Sequence, residues 1–377
     1  MLGWYNNLWQ FRMGITINGS KVGNETENEY GFPVMISLTG LSKIKTNGAD
    51  IRFTSADGIT ELPREIESYS SGALIAWVKA DLSYTKNTVI YMYYGNALAF
   101  EPAANSTYGS QRVWDVNFLS VHHAKEDTDV NWVDSTQNGR TGTPTSVTAT
   151  SSGKIDGAGV FNGTTSKIST GTDYVGITAL TTSAWIYLTG YGGAGIGRII
   201  DNGGKFVFAA TSSNWIRCSS NGGTIIDSAA VLSLSAWFHV VFTRDTSGNA
   251  SIYVNGALSG DADRSSGAPA AGSNVCIGSR PSDDARVFDG TLDEVRISNL
   301  RRTLGWIKTE YNNQSSPSTF YTVSREVNRS NVIGWKGMTQ NLKVYATICA
   351  ALATNRKVYG NRTSKLYNST FSKIYGG

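Results

Sequence analysis

Apolar and polar positions alternate along most of this chain in short runs that stop at Gly, Asn or Asp. Before about residue 115 the series is FRMGITING, PVMISLTG, ADIRFTSADG, LIAWVKADL and NTVIYMYYGN. A period of two broken by turn residues predicts β-strands, because alternate side chains share one face of a sheet. Asp57-Gly58 marks a hairpin turn, and the small, polar stretch AFEPAANSTYGSQ reads as a linker. Residues 116–323 continue in the same style with FLSVHHAK, AGVFNG, SKISTG, LTTSAWIYLTG, GRIIDNG, KFVFAAT, WIRCSS, AWFHVVFTRD, ASIYVNGALSG, NVCIGSR and TLDEVRIS. Many short strands at regular turn spacing predict a sandwich or jelly roll. Only RRTLGWIKTEYNNQ has helical spacing, through Leu304, Ile307, Lys308 and Tyr311, and it predicts a short closing helix.

From Ser324 the pattern changes to a repeated basic–aliphatic–Tyr triplet: Lys343-Val344-Tyr345, Lys357-Val358-Tyr359, Lys365-Leu366-Tyr367 and Lys373-Ile374-Tyr375. On a strand each triplet puts Lys and Tyr on one face and the aliphatic residue on the other. So few units bury little surface alone. The expectation is a docking or oligomerisation segment whose contacts are Lys343, Tyr345, Lys357, Tyr359, Lys365, Tyr367, Lys373 and Tyr375. The whole chain is expected to be all-β: a β-sandwich module over 1–115, a jelly roll over 116–323 and a small basic β-rich tail over 324–377.

Composition agrees with that class: 41 Gly, 7 Pro and 16% charged residues in 377. No run approaches the roughly 18 apolar residues a membrane-spanning helix needs, so no span is expected. The charge is uneven. Nine Lys/Arg against Glu326 give residues 324–377 a net +8, which leaves −4 for residues 1–323 out of the chain's +4. A basic tail on an acidic body favours docking on a protein partner over nucleic acid. Cys218, Cys276 and Cys349 match no zinc spacing and read as buried thiols. The opening MLGWYNNLWQFRMG has no basic-then-apolar leader, which points to release by lysis, another export route or a processed fragment.

Five motifs occur in order: SVHHAKEDTDVNWVDSTQNGRTGTP, GAGVFNGTTSKIS, TTSAWIYLTG, AWFHVVFTRDTSGNASIYVNGALSG and VCIGS followed by FDGTLDEVRISNLRRT. Together they resemble the laminin-G-like branch of the concanavalin A-like lectin/glucanase jelly rolls over almost all of 116–323. The first segment, with Trp9-Gln10-Phe11-Arg12, ADIRFTSADGITELPREIE, AWVKADL and IYMYYGN, is similar to a family of unknown function often found before such domains. The tail resembles no family.

The resemblance frames the candidate sites. Related glucanases carry catalytic acids at alternate positions of one strand, because only i, i+2 and i+4 share a face. ETENE (25–29) alternates but reads as a polar loop. Asp293 and Glu294 are neighbours, so on a regular strand they point to opposite faces and do not flank one glycosidic bond; no catalytic residue is assigned. The resemblance places the DST turn beside the closing DEVR strand, which suggests a structural Ca²⁺ held by Asp134, Asn138 and Asp293. His122, His123 and His239 read as packed framework, and Trp185 and Trp237 as core. GYGGAG (190–195) is followed by GRIID, a strand rather than a helix, so no phosphate cradle forms. Carbohydrate contact falls to Tyr191, Trp215, Asp283 and Asp284, which lie in loops.

These expectations combine into a non-enzymatic virion structural protein, a decoration, fibre or adhesion protein, whose lectin-like domain binds host-surface glycans. Its tail would join other virion or surface proteins, with homo-oligomerisation and a place on the virion surface. The alternatives are a cell-surface adhesin or carbohydrate-binding protein and, behind it, a lectin-fold glycoside hydrolase.

Overall fold

The computed structural model describes residues 3–24, 26–124, 132–221, 225–262, 270–281 and 285–331. The triplet tail, Cys349, Asp283 and Asp284 lie outside these residues. The described residues hold two short α-helices, Leu304–Ser315 and Pro317–Phe320, and helical residues again at 329–331, so the chain is nearly all-β, as its alternation predicts. No described helix is long and apolar enough to cross a membrane.

The N-terminal module is a two-layer sandwich. One sheet runs in the order Tyr321–Val323, Phe11–Ile17, Thr88–Tyr94, Arg52–Thr54, Glu61–Leu62, with Val327–Asn328 also on Phe11–Ile17. The other runs Glu29–Leu38, Ala73–Leu82, Arg64–Ser70. Alternation sets its two faces: Phe32, Val34 and Ile36 pair with Ala80, Val78 and Ala76 and enter the module's core. Met35 and Trp77 pair on the opposite face.

The second unit is a jelly roll. Its eight-stranded sheet runs Thr148–Thr150, Ala158–Asn162, Asp289–Ser298, Leu180–Leu188, Trp237–Arg244, Ala250–Val254, Ala257–Ala262, with Phe118–His122 also on Asp289–Ser298. The seven-stranded sheet runs Ile226–Asp227, Ile216–Ser220, Phe206–Thr211, Ile196–Asp201, Cys276–Ile277, Lys167–Ser169, Thr143–Thr145. Between them Ile186, Phe242, Leu292, Val295 and Ile297 meet Ile199, Ile200, Phe206, Phe208 and Ile277, all at 1% exposure or less.

The expected boundary at 323/324 does not coincide with a break in the fold. Tyr321–Val323 and Val327–Asn328 both return to pair with Phe11–Ile17, completing the first module's sheet from the far end of the chain. Phe320, fully buried, plugs that module's core, and Tyr321 Oη donates to Ser37 O at 2.9 Å.

The helix Leu304–Ser315, capped where the Thr303 side chain accepts Trp306 N–H at 3.1 Å, is a wedge between the two units. Asn313 brackets the Met35 peptide group, accepting its N–H at 2.6 Å and donating to its carbonyl at 2.9 Å. On its other side Gln314 accepts Trp185 Nε1–H at 2.6 Å, and Tyr311 stacks on the Trp185 ring at 6.0 Å. Trp185 is therefore buried on the outer face of the jelly roll, under the helix, not in the sandwich core. Trp237 is half-buried against Tyr187 at 5.6 Å rather than core.

Candidate functional site

The acids of TLDEVRIS occupy an irregular stretch of their strand. Asp293 stands opposite Trp185 and Arg296 opposite Ser183, so Glu294 and Val295 together face Ala184: a β-bulge, with Glu294 at φ +51°. Leu292, Val295 and Ile297 keep the core side. A bulge inserts one residue and breaks the two-fold alternation, so Asp293 and Glu294 both turn outward. The expectation of opposite faces fails for that reason.

What they meet is the N-terminal module. A second bulge, between Ile66 and Ser68, presents Glu67 from the facing sheet. His123 Nδ1–H donates to Glu294 Oε1 at 2.7 Å and stands 3.5 Å from Glu67 Oε2, while its Nε2 lies 3.5 Å from Glu65 Oε2. Trp77 Nε1–H donates to Glu67 at 2.6 Å and Trp114 Nε1–H to Glu65 at 2.8 Å. Arg296 donates to Glu294 Oε2 at 2.5 Å and to Glu310 Oε1 at 3.0 Å, with its guanidinium 4.4 Å over the Trp77 ring. His123, Glu294 and Arg296 are each no more than 3% exposed. The predicted framework histidines are buried, but His123 is a charged strut between modules.

Burial pushes the His123 imidazole toward neutrality, yet the carboxylates of Glu294, Glu67 and Glu65 outweigh it and hold its pKa well above the usual value. Burial likewise raises Glu294, and His123 and Arg296 reverse the shift, keeping it ionised. Glu310 is raised by burial and pulled down to about 2 by neighbouring His239 and Arg296; His239 Nε2 is 3.9 Å away, so its influence there is that of a nearby dipole or charge. Burial, then the Glu294 charge, push Asp293 well above the carboxylate range, and nearby Lys154 does not reverse the shift. The group is thus an ion network beside one acid whose ionisation is disfavoured.

Glu67, His123 and Glu294 also form the one group of three metal-ligating side chains found among the described residues, their ligand atoms within 4.8 Å of one another. Arg296 and protonated His123 already supply the positive charge there, and a cation would have to displace one of them. The arrangement fits an ion network better than a metal centre.

Of the proposed calcium ligands, Asp134 and Asn138 share Thr136, whose Oγ1 accepts Asn138 Nδ2–H at 3.2 Å, while Asp293 shares no hydrogen-bond partner with either among the described residues. Asp134 Oδ1 accepts Val121 and Thr136 N–H at 3.1 and 3.0 Å, and Oδ2 accepts Thr136 Oγ1–H and Arg140 N–H at 2.9 and 2.8 Å. Asn138 Nδ2–H donates to the Phe118 and Leu119 carbonyls at 2.9 and 3.1 Å. Asp293 Oδ2 accepts Ile155 N–H at 2.8 Å beneath the N-terminal module. Asp134 shapes its own turn, as Asx residues do. In ETENE, residues 26–28 are loop as expected, but Glu29 opens the strand Glu29–Leu38 and is 5% exposed, and burial beside Glu27 raises its carboxyl to about 8.

At one end of the jelly roll three loops converge. Tyr191 Oη–H donates to Asn214 Oδ1, next to Trp215, which is 36% exposed. Ser212 N–H donates to Gly195 O at 2.8 Å and Gly193 N–H to Val287 O at 3.1 Å, tying the glycine-rich loop to both neighbours. Gly192 has φ +69° and a Cβ there would lie 2.0 Å from Val287 O; one on Gly193 would lie 2.6 Å from Arg286 N. Glycine is needed because the loops touch backbone to backbone. The strand Ile196–Asp201 follows, as expected. Tyr191 and Trp215, chosen separately from sequence, thus come to one end of the jelly roll; Asp283 and Asp284 lie outside the described residues, as do the residues expected to dock, Lys343 to Tyr375.

Residues 162–308 match the family described as the concanavalin A-like lectin/glucanases superfamily, and residues 47–136 match a domain of unknown function, DUF2341. No curated protein matches the chain. Among solved structures, domain 4 of AbnA, an extracellular arabinanase from Geobacillus stearothermophilus, in complex with arabinotriose, aligns at 20% identity and TM-score 0.43, over 52% of this chain and 98% of that one. The binding domain of Paraclostridial Mosquitocidal Protein 1 aligns at 14% identity and TM-score 0.41; the match spans about half of each chain, 52% in both cases. A pentraxin from Limulus polyphemus aligns at 15% identity and TM-score 0.32, over 40% of this chain and 82% of that one.

Proposed function

Taking as premise a chain that carries a concanavalin A-like lectin/glucanase domain behind a DUF2341 domain, we propose that it is a non-catalytic glycan-binding protein of a particle surface. The observation that carries the reading is the exposed Trp215 beside the Tyr191–Asn214 hydrogen bond. An indole face takes the C–H face of a pyranose, while a fixed amide and loop backbone groups take its hydroxyls. The absence of hydrolysis is supported by the fate of the two acids that the bulge brings onto one face. Asp293 and Glu294 are 0% and 1% exposed, the first under the Lys154–Ile155 segment and the second against the N-terminal module, and a glycosidic bond cannot reach them there.

Placement on a virion extends this reading. The +8 segment from Ser324 onward would anchor on other particle proteins and leave the jelly roll outward. The test is a glycan array with the full chain and its Trp215→Ala variant, alongside a reducing-sugar assay on every hit. Hits that vanish in the variant, with no sugar released, are expected. An empty array or released sugar would overturn the proposal, and labelling of intact particles that finds the chain absent would overturn the placement.

A further inference from the structure

Arg198 lies on the outer face of the seven-stranded sheet, beside the same loop cluster. It pairs with Ala209, and a bulge between Arg198 and Ile200 lets Ile199 and Ile200 both enter the core while Asp201, opposite Val207, shares the outer face. Asp201 Oδ2 lies 2.8 Å from Arg198 Nε as an ion pair, and its Oδ1 is fixed by the Gly203 and Gly204 N–H groups, each at 2.7 Å. Arg198 is 7% exposed, and its two terminal nitrogens have no partner among the described residues. The next arginine in the row shows the contrast. Arg217, also opposite Ala209, is closed bidentately by Asp227 at 2.7 and 2.6 Å. One fork is filled by a carboxylate; the other has its terminal nitrogens unfilled among the described residues.

Two further arginines stand near the open one, in a loop whose sequence also carries Asp283 and Asp284. Arg198 N–H donates to Arg286 O at 2.9 Å, and Arg280 N–H to Ala285 O at 3.2 Å, so Arg286 and Arg280 stand at the base of the adjoining loop. Arg286 makes no ion pair among the described residues. Burial, and then the charges of Arg286 and Arg280 against the opposing pull of Asp201, lower the pKa of Arg198. The cradle is local: residues 1–323 are net negative, so long-range attraction does not explain it. Trp215 opposes Thr211 and so lies two strands across and two residues along from Arg198, about 10 Å by 7 Å, a span for more than one sugar ring.

We infer that this end of the jelly roll selects a carboxylate-bearing saccharide, with the acid group on the guanidinium forks of Arg198 and Arg286 and a sugar ring toward Trp215. A planar fork matches a carboxylate through two parallel N–H···O bonds. The inference rests on the glycan-binding reading and adds the ligand's charge class. Asp283 and Asp284 are given no part in it.

The test uses the full chain and calorimetric titration with a uronate oligosaccharide, its carboxyl-reduced counterpart and a sulfated neutral one. The uronate is expected to bind at least tenfold more tightly than the reduced sugar, with the advantage shrinking as salt rises. Arg286→Gln should bring the two within twofold. Arg198→Lys should do the same, because it keeps the charge but loses the fork. Equal affinities in the native chain, an Arg286→Gln variant with the full advantage, or a preference for sulfate alone would overturn the carboxylate assignment. Binding of none of the three would instead count against the glycan-binding reading beneath it.

Discussion

Replacing Glu294 by Gln removes the one charge on which two buried cations converge, His123 at 2.7 Å and Arg296 at 2.5 Å. At an effective dielectric of about 20, each contact is worth roughly 6 kcal/mol of gross attraction, most of it offset by the desolvation of the ions. The measurable quantity is the cost of stranding the partners, about 3–5 kcal/mol when one member of a buried pair is lost. For a cooperative unit of this size that is a fall of roughly 10 °C in Tm. The assay is chemical and thermal unfolding of the full chain across pH. In the native chain the pKa of His123 is raised on folding, so its stabilisation is fully present below about pH 6.5 and is lost as pH rises through the higher folded value. Glu294→Gln should lower that folded value and flatten the alkaline decline. The double variant Glu294→Gln/His123→Gln should lose less than the sum of its parts, because it strands one cation fewer. A loss under about 1 kcal/mol, or an alkaline slope that does not change, would refute the claim that these residues lock the two modules together.

Three further outcomes follow from the same geometry. A chain ending at Ser315 loses Tyr321–Val323 and Val327–Asn328, which pair with Phe11–Ile17, and should aggregate or melt well below a chain ending at Asn331; equal melting would contradict the return of the chain to the first sheet. The carboxyl of Glu29, raised to about 8, destabilises the fold as pH climbs from about 4.5 to 8, so Glu29→Gln should remove that part of the pH dependence and leave the His123 decline in place. Cys218 and Cys276, 1% and 2% exposed, should resist thiol reagents until unfolding, as mapped by peptide mass spectrometry.

Much of the fold was legible because alternation is a local signal. Strands such as Ala73–Leu82 and Leu180–Leu188 announce themselves by period, and Leu304, Ile307 and Tyr311 mark the helix. Alternation cannot reveal a bulge, which is decided by what lies on each side of the sheet. Glu67, Glu294 and Arg198 all sit at or beside bulges, and all three were missed or misdirected for that reason. A faint signal existed at Arg198-Ile199-Ile200-Asp201, where opposite charges flank two apolar residues: a regular strand would point one of those isoleucines at solvent. The role of Trp185 was hidden differently. Its burial is supplied by a helix more than a hundred residues later, and no local pattern encodes that partner. Tyr191 and Trp215 could be singled out from sequence because aromatics in polar, glycine-rich loops have no strand face to fill.

The central claim is that glycan is held at the end of the jelly roll and nowhere near the buried acids. Hydrogen–deuterium exchange of the full chain, with and without the saccharide selected on the array, tests it most directly. Protection confined to 190–198, 211–216 and 285–288, with the strand Asp289–Ser298 unchanged around Glu294, is the predicted result. Protection or opening centred on Asp293, Glu294 and the N-terminal module, with the three loops unaffected, would contradict it.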